Sequence, residues 1–234
     1  MNNLSDTDLG SGPTTINIDI WMAELSQKLV AQFGDRLMLV GLQGSRARGE
    51  ARPDSDIDVV VIIDGLTRAD IRAYHSLLTE MPHASLACGF ISSPAVLAAW
   101  PRHDSMNLVL DTKPIHGSFD FMDADFTAED ARLSAKAGAA EIYHLLAHAT
   151  AFDETPLKDA VAASVKASFF VMRALAFATT GEYPVMRARM KELASEEELR
   201  FLQAYDDLAI ASTTTDLDDL ATQLMDYAAR IIMQ

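Results

Sequence analysis

The stretch Leu37–Ile63, LMLVGLQGSRARGEARPDSDIDVVVII, constrains this chain more than any other. It holds an apolar strand, a Gly44-Ser45 turn, a ten-residue loop carrying Arg46, Arg48 and Arg52, and a second apolar strand. Asp56 and Asp58 stand at the head of that second strand. Side chains at i and i+2 of a strand project to one face, so the two carboxylates are expected to converge, roughly 6–7 Å apart at Cα. Ile57, Val59, Val61 and Ile63 take the opposite face, which a layered domain buries. Two carboxylates at a strand end suit a hard cation such as Mg²⁺, which takes one or two carboxylates and completes its shell with water and substrate phosphates.

The turn supplies the other half of such a site. Glycine allows a close backbone approach and positive φ. The Ser45 hydroxyl and the amides after Gly44 can cradle a phosphate, as nests of backbone N–H groups do. Three arginines crowd the next loop in a chain with 19 basic residues against 34 acidic ones. Basic residues so concentrated on an acidic background read as a phosphate-facing loop, because guanidinium pairs with phosphate in a bidentate manner.

Gly44-Ser45, ten residues, then Asp56-Ile57-Asp58-Val59 resembles the signature of the DNA polymerase β-like nucleotidyltransferase superfamily, most closely its minimal and kanamycin-nucleotidyltransferase-like members. The resemblance implies transfer of a nucleoside monophosphate from an NTP, with ATP the first choice, to a hydroxyl of a small molecule or protein. Pyrophosphate leaves. It implies Asp56 and Asp58 as metal-binding catalytic residues for Mg²⁺, or Mn²⁺ in its place, acting by a two-metal mechanism. Gly44, Ser45, Arg46, Arg48 and Arg52 become the nucleotide-binding set, with the arginines compensating charge on the leaving group. Positioning and charge compensation carry most of phosphoryl transfer, so no protein nucleophile is required.

One departure from the family pattern is visible. Active members commonly place a third carboxylate on the third strand, and Ala84-Ser85-Leu86-Ala87-Cys88-Gly89-Phe90-Ile91 contains no acid. A general base would then come from Asp104, Asp111 or, in the helical part, Glu141. The alternative is a catalytically weakened fold that binds a nucleotide as a sensor or interaction module.

Composition narrows the partners. The net charge of −15 argues against a long nucleic acid, which needs a basic footprint, but leaves room for a nucleotide in a local basic pocket. Cys88 is the single cysteine, so no internal disulfide forms and no oxidising compartment is required. Residues 1–15 are polar and acidic without a signal-peptide plan, and no run of about 18 uncharged apolar residues marks a membrane span. A cytoplasmic protein is expected.

Along the chain, 1–15 reads as a disordered lead, 16–120 as the nucleotidyltransferase domain and 121–234 as an all-α antiparallel bundle, giving an α+β protein with an N-terminal mixed sheet. Ile18, Met22, Leu25, Leu29 and Phe33 predict a first helix ended by Gly34-Asp35. Arg68–Met81 follows as a helix with Ile71, Tyr74, Leu77 or Leu78, and Met81 on one face. His83–Ser92 is the third strand, short helices follow to Trp100 and over Asp104–Leu110, and Lys113–Gly117 is the last strand. Beyond Thr127, capping signatures at Thr127-x-x-Asp130, Ser195-x-x-Glu198 and Thr215-x-x-Asp218, with Pro156 at a first helical position, open the main helices. Leu157, Val161, Val165, Phe169 and Met172 form one stripe, and Leu217, Leu220, Leu224, Tyr227 and Ile231 another. Four helices joined by short loops give the bundle.

The long helix running into Thr180-Gly181-Glu182-Tyr183-Pro184 resembles HEPN-like bundles, though the Arg-spacer-His pattern of their nucleases is absent. In that family such a bundle shapes a substrate cleft or pairs two chains as a homodimer. His103, His116, His144 and His148 lack metal-ligand spacing and read as surface or packed residues. Cys88 reads as a small buried hydrophobe, and Trp100 and Phe90 as core.

Overall fold

The computed structural model describes residues 16–152, 155–208 and 216–234. The expected disordered lead and Thr215 lie outside them. The chain divides into two compact units, one of residues 1–95 and 112–119, the other of 96–111 and 120–234.

The first unit is a four-stranded mixed sheet of β1 (Leu37–Gln43), β2 (Ile57–Ile63), β3 (Ala87–Ser92) and β4 (Lys113–Gly117), in the order β3-β2-β1-β4. β1 runs antiparallel to β2 and β4, while β2 and β3 run parallel. The helices α1 (Ile18–Phe33) and α3 (Arg68–Thr79) belong to the same core. There Trp21, Met22, Leu25 and Leu29 meet Val40, Leu42 and the alternating set Ile57, Val59, Val61 and Ile63. All four of those β2 side chains are fully buried. Val60 and Ile62 on the second face are buried too, so the in–out alternation expected of β2 survives only at its head, by Asp58.

Local chemistry sets the helix ends. Asn17 caps α1, accepting from Ile20 N–H at 3.2 Å. Thr67 and Asp70 form a reciprocal capping box that opens α3. The covered face of α3 begins at Ala73 and Tyr74, one turn later than expected, and Ile71 stands 42 % exposed. Trp21 fastens α1 by donating its indole N–H to the Pro82 carbonyl at 2.6 Å.

The second unit is helical. The segment α5 (Arg102–Asp111) packs on α6 (Ala128–Ala151), which packs on α7 (Leu157–Thr180) and α10 (Leu217–Ile232). α9 (Glu196–Leu208) lies against α7, and α8 (Arg187–Leu193) is a short connector. The sequence boundary at residue 120 left 96–111 with the sheet, whereas these residues group with the helices. Thr127 with Asp130 and Ser195 with Glu198 make the anticipated capping boxes. α10 is capped by Asp216, which accepts from the N–H groups of Asp218 and Asp219. Pro156 is the cap residue of α7 and stands one position before the helix, and Gly181 closes it at φ 76°.

By length and composition α7 is apolar enough to cross a membrane, the one such helix among the described residues. Half of its apolar window is buried inside the protein. Arg173, fully buried, donates to Asp111 Oδ1 at 2.8 Å and to the Val185 carbonyl, and stacks over the Phe169 ring at 4.2 Å. The side chain is the largest of the wholly buried set. α7 is thus the core helix of its unit.

Candidate active site

β1 delivers the chain to Gln43, whose register partner on β2 is Asp58. Gly44 follows at φ 71°, in the left-handed region. A Cβ placed on Gly44 would lie 1.9 Å from Asp58 Oδ2 and 2.9 Å from its Cγ. Glycine is therefore demanded twice, by conformation and by the carboxylate pressed against its backbone. The glycine turn and the second aspartate of the sequence signature meet in space.

Gly44–Arg48 is wound into a single helical turn, α2, ended by Gly49 at φ 71°, in place of the simple bend expected. The turn points Arg46 inward. Its guanidinium, only 8 % exposed, donates through Nε to the carbonyls of Ser55 and Asp56, both at 3.1 Å. Nη2 donates to Ser55 at 2.7 Å and Pro53 at 3.3 Å. These carbonyls sit on a loop with no ladder partner, and a planar five-donor group satisfies several at once. Arg46 is accordingly a clamp on the carbonyls of Pro53, Ser55 and Asp56 that fixes the entry to β2. Arg48 likewise turns aside to Glu50, with Nε 2.9 Å from Oε2 and both side chains mostly covered.

Arg52 behaves differently. It is exposed, its backbone N–H donates to Ser55 Oγ at 2.9 Å, and its guanidinium makes no hydrogen bond or ion pair among the described residues. The Ser45 hydroxyl and the exposed Asp56 carboxylate are also without a protein partner among them. Asp58 is held more closely. Cys88, its register partner across the parallel β2–β3 pair, donates Sγ–H to Asp58 Oδ1 at 3.2 Å. Cys88 is exposed, so the expectation of a small buried hydrophobe is overturned: β3 is an edge strand and this position looks toward the strand head. Trp100, expected in the core, is 40 % exposed. Close to Cys88, burial chiefly, with the neighbouring thiol, pushes the Tyr74 hydroxyl well above the ordinary phenol range.

Asp56, Asp58, Ser45 and Arg52 all belong to the sheet unit. Of the candidate bases, Asp111 is engaged with Arg173 in a buried ion pair and is removed from consideration. Asp104, beside His103 at 3.4 Å, and Glu141 are exposed on α5 and α6. His144 and His148 lie 5.8 Å apart between centroids and His148 and Phe152 4.8 Å apart, both ring pairs tilted. Among the described residues no cluster of three or more potential metal ligands forms. The donor chemistry at the strand head nevertheless fits Mg²⁺, which needs only one or two carboxylate oxygens when a triphosphate brings the rest.

The N-terminal stretch also has relatives. Residues 23–84 match the nucleotidyltransferase domain family, a span that takes in β1, Gly44-Ser45, β2 and both aspartates. Among solved structures, spectinomycin adenyltransferase AAD(9) from Enterococcus faecialis, crystallised with ATP and spectinomycin, is similar in fold. The TM-score is 0.56 at 14 % identity, covering 91 % of this chain and 98 % of that one. No curated protein sequence matches the chain. Neither finding carries the HEPN-like reading of the helices. Residues 23–84 thus match a nucleotidyltransferase domain by sequence, and over most of its length the chain shares the fold of that solved structure.

Proposed function

We propose that the protein transfers a nucleoside monophosphate, in the first instance AMP from ATP, to a hydroxyl of a small polar molecule. One observation carries the reading: the Asp58 carboxylate lies against the backbone of Gly44, at a turn whose serine hydroxyl has no protein partner among the described residues. The strand register brings this carboxylate to the phosphate-cradling element, with only a thiol among the described residues donating to it.

In this reading Asp56 and Asp58 hold Mg²⁺, or Mn²⁺ in its place. Bound with the nucleotide, the cation supplies charge compensation for the triphosphate and acidifies the acceptor hydroxyl. Ser45 and the adjoining amides donate to the phosphates. Arg52, whose guanidinium has no partner among the described residues, faces the negative charge that builds on the departing pyrophosphate. Arg46 and Arg48 contribute indirectly, by holding the loop that carries Arg52 and Asp56. The adenyltransferase of similar fold was crystallised with ATP and an aminocyclitol, which makes ATP and aminocyclitol or aminoglycoside hydroxyls the first substrates to try. A cytoplasmic location, where ATP is plentiful, goes with this reading, as does pairing of two chains through the helical unit.

The test is pyrophosphate release from ATP, GTP, CTP and UTP with Mg²⁺ and a panel of such acceptors, wild type against Asp58→Asn. The reading predicts turnover that the substitution abolishes, with Asp104→Asn and Glu141→Gln assayed alongside to find the base. A second reading rests on β3, where Cys88 and not an acid stands opposite Asp58. A nucleotide-binding module would show Mg²⁺-dependent thermal stabilisation by NTP and no turnover above that of Asp58→Asn.

A further inference from the structure

The sheet holds the Asp58 carboxylate from two sides. Oδ2 abuts the Gly44 backbone, and Oδ1 accepts from the Cys88 thiol at 3.2 Å. The thiol's position is itself built into the fold. The next residue, Gly89, adopts φ 131°, and a Cβ there would fall 2.0 Å from the Val59 carbonyl oxygen and 2.6 Å from the Val59 nitrogen. β3 is thereby pressed onto β2 immediately beside Asp58, at a spacing only glycine permits. Cys88 is solvent-exposed, so apolar packing does not account for its place in contact with an acid.

We propose that Cys88 is a positioning residue for Asp58: its S–H fixes one carboxylate oxygen and so sets the rotamer in which the group meets Mg²⁺ and nucleotide at the Gly44-Ser45 turn. The inference rests on the nucleotidyltransferase reading above. A thiol is a weak donor to a neutral acceptor but a better one to an ionised carboxylate. It orients Asp58 without adding a second negative charge at the strand head. Groups that orient metal-binding side chains in this way commonly change metal affinity about 10–100-fold when removed.

The test compares wild type, Cys88→Ser, Cys88→Ala, Cys88→Val and Asp58→Asn. The readout is the Mg²⁺ concentration giving half-maximal thermal stabilisation in the presence of α,β-methylene-ATP, together with the melting temperature without ligand. The proposal predicts that Cys88→Ala and Cys88→Val raise the half-saturating Mg²⁺ about 10-fold. Cys88→Ser, which keeps a donor, should stay within about 3-fold of wild type, with unliganded melting temperatures unchanged. Cys88→Val retains bulk without the donor, so it separates lost packing from lost orientation. Mg²⁺ requirements equal to wild type in both donor-free variants overturn the proposal, as does a serine variant no better than alanine. If wild type shows a Mg²⁺-dependent shift that Asp58→Asn loses but the Cys88 variants keep, only the Cys88 inference fails. If wild type shows no such shift, or Asp58→Asn retains it, the nucleotidyltransferase reading fails and takes this inference with it.

Discussion

The paired arginines of the helical unit contrast with one group of polar and charged side chains in the sheet unit. In the helical unit Arg173 is wholly buried, yet it is matched by Asp111, a carbonyl and an aromatic face. Arg102 gathers Asp123, Asp130 and the Asp125 carbonyl, and Arg187 gathers Asp206 and the Leu202 carbonyl. In the sheet unit the Ser45 hydroxyl, the Arg52 guanidinium and the Asp56 carboxylate have no partner among the described residues. The Asp58 carboxylate accepts from the Cys88 thiol and abuts the Gly44 backbone. Losing one member of a buried pair strands the other, so the Arg173–Asp111 pair belongs to the fold. On the reading proposed above, the unmatched groups of the sheet unit face a ligand instead.

The contrast can be broken by asking whether activity and stability separate along the same line. The largest effect is expected at Asp58. Asp58→Asn removes several kcal/mol of charge stabilisation, a loss of about 10³-fold or more in kcat/KM, with an unliganded melting temperature no lower than wild type. Asp111→Asn is its mirror image, costing about 3–5 kcal/mol in urea unfolding because Arg173 is left buried and uncompensated. A fall in activity without that loss of stability would place Asp111 in the wrong class.

Gly44→Ala sharpens the line where the classes touch. Its methyl would collide with Asp58 Oδ2 and its φ would be strained, so a cost of about 1–3 kcal/mol in stability should accompany a fall in nucleotide binding. Arg52→Ala should raise KM for the nucleotide about 10-fold with thermal stability unchanged, as expected for one charge-assisted contact to phosphate of about 1.5–3 kcal/mol.

The smallest effect is a pH dependence. Arg36, through its guanidinium, and Thr67, through its hydroxyl and N–H, hold the Asp70 carboxyl well below the usual carboxylate range. A depressed folded-state value stabilises the native protein above the unfolded value, and the contribution disappears as pH falls toward the folded one. Wild type should therefore lose melting temperature below about pH 4 more steeply than Asp70→Asn, whose own deficit is greatest near neutrality.

The sequence reading reached local features best. The ends of β4, the Thr127 and Ser195 caps and the stripes of α7 and α10 follow from residues within a turn or two of one another. The approach of Gly44 to Asp58 was legible for the same reason, since they stand fourteen positions apart in one hairpin-like segment. Pairings across long separations were not. Arg173 meets Asp111 62 positions away, and Cys88 meets Asp58 30 positions away. Neither spacing carries a periodic signal, because a parallel register or an interhelical contact is fixed by the whole unit. Arg46 illustrates a subtler limit. A guanidinium matches phosphate and loop carbonyls equally well, and composition alone does not tell which it faces.

The excursion of 96–111 away from the strands that flank it has a consequence for anyone who would take the protein apart. A fragment beginning at residue 120 looks like a tidy autonomous piece, but it would omit Asp111, the counter-ion of Arg173, along with the rest of α5. A fragment ending at residue 119 would carry α5 with nothing to dock on. The polypeptide passes from one unit to the other and back, so no single scissile point leaves both with all of their segments.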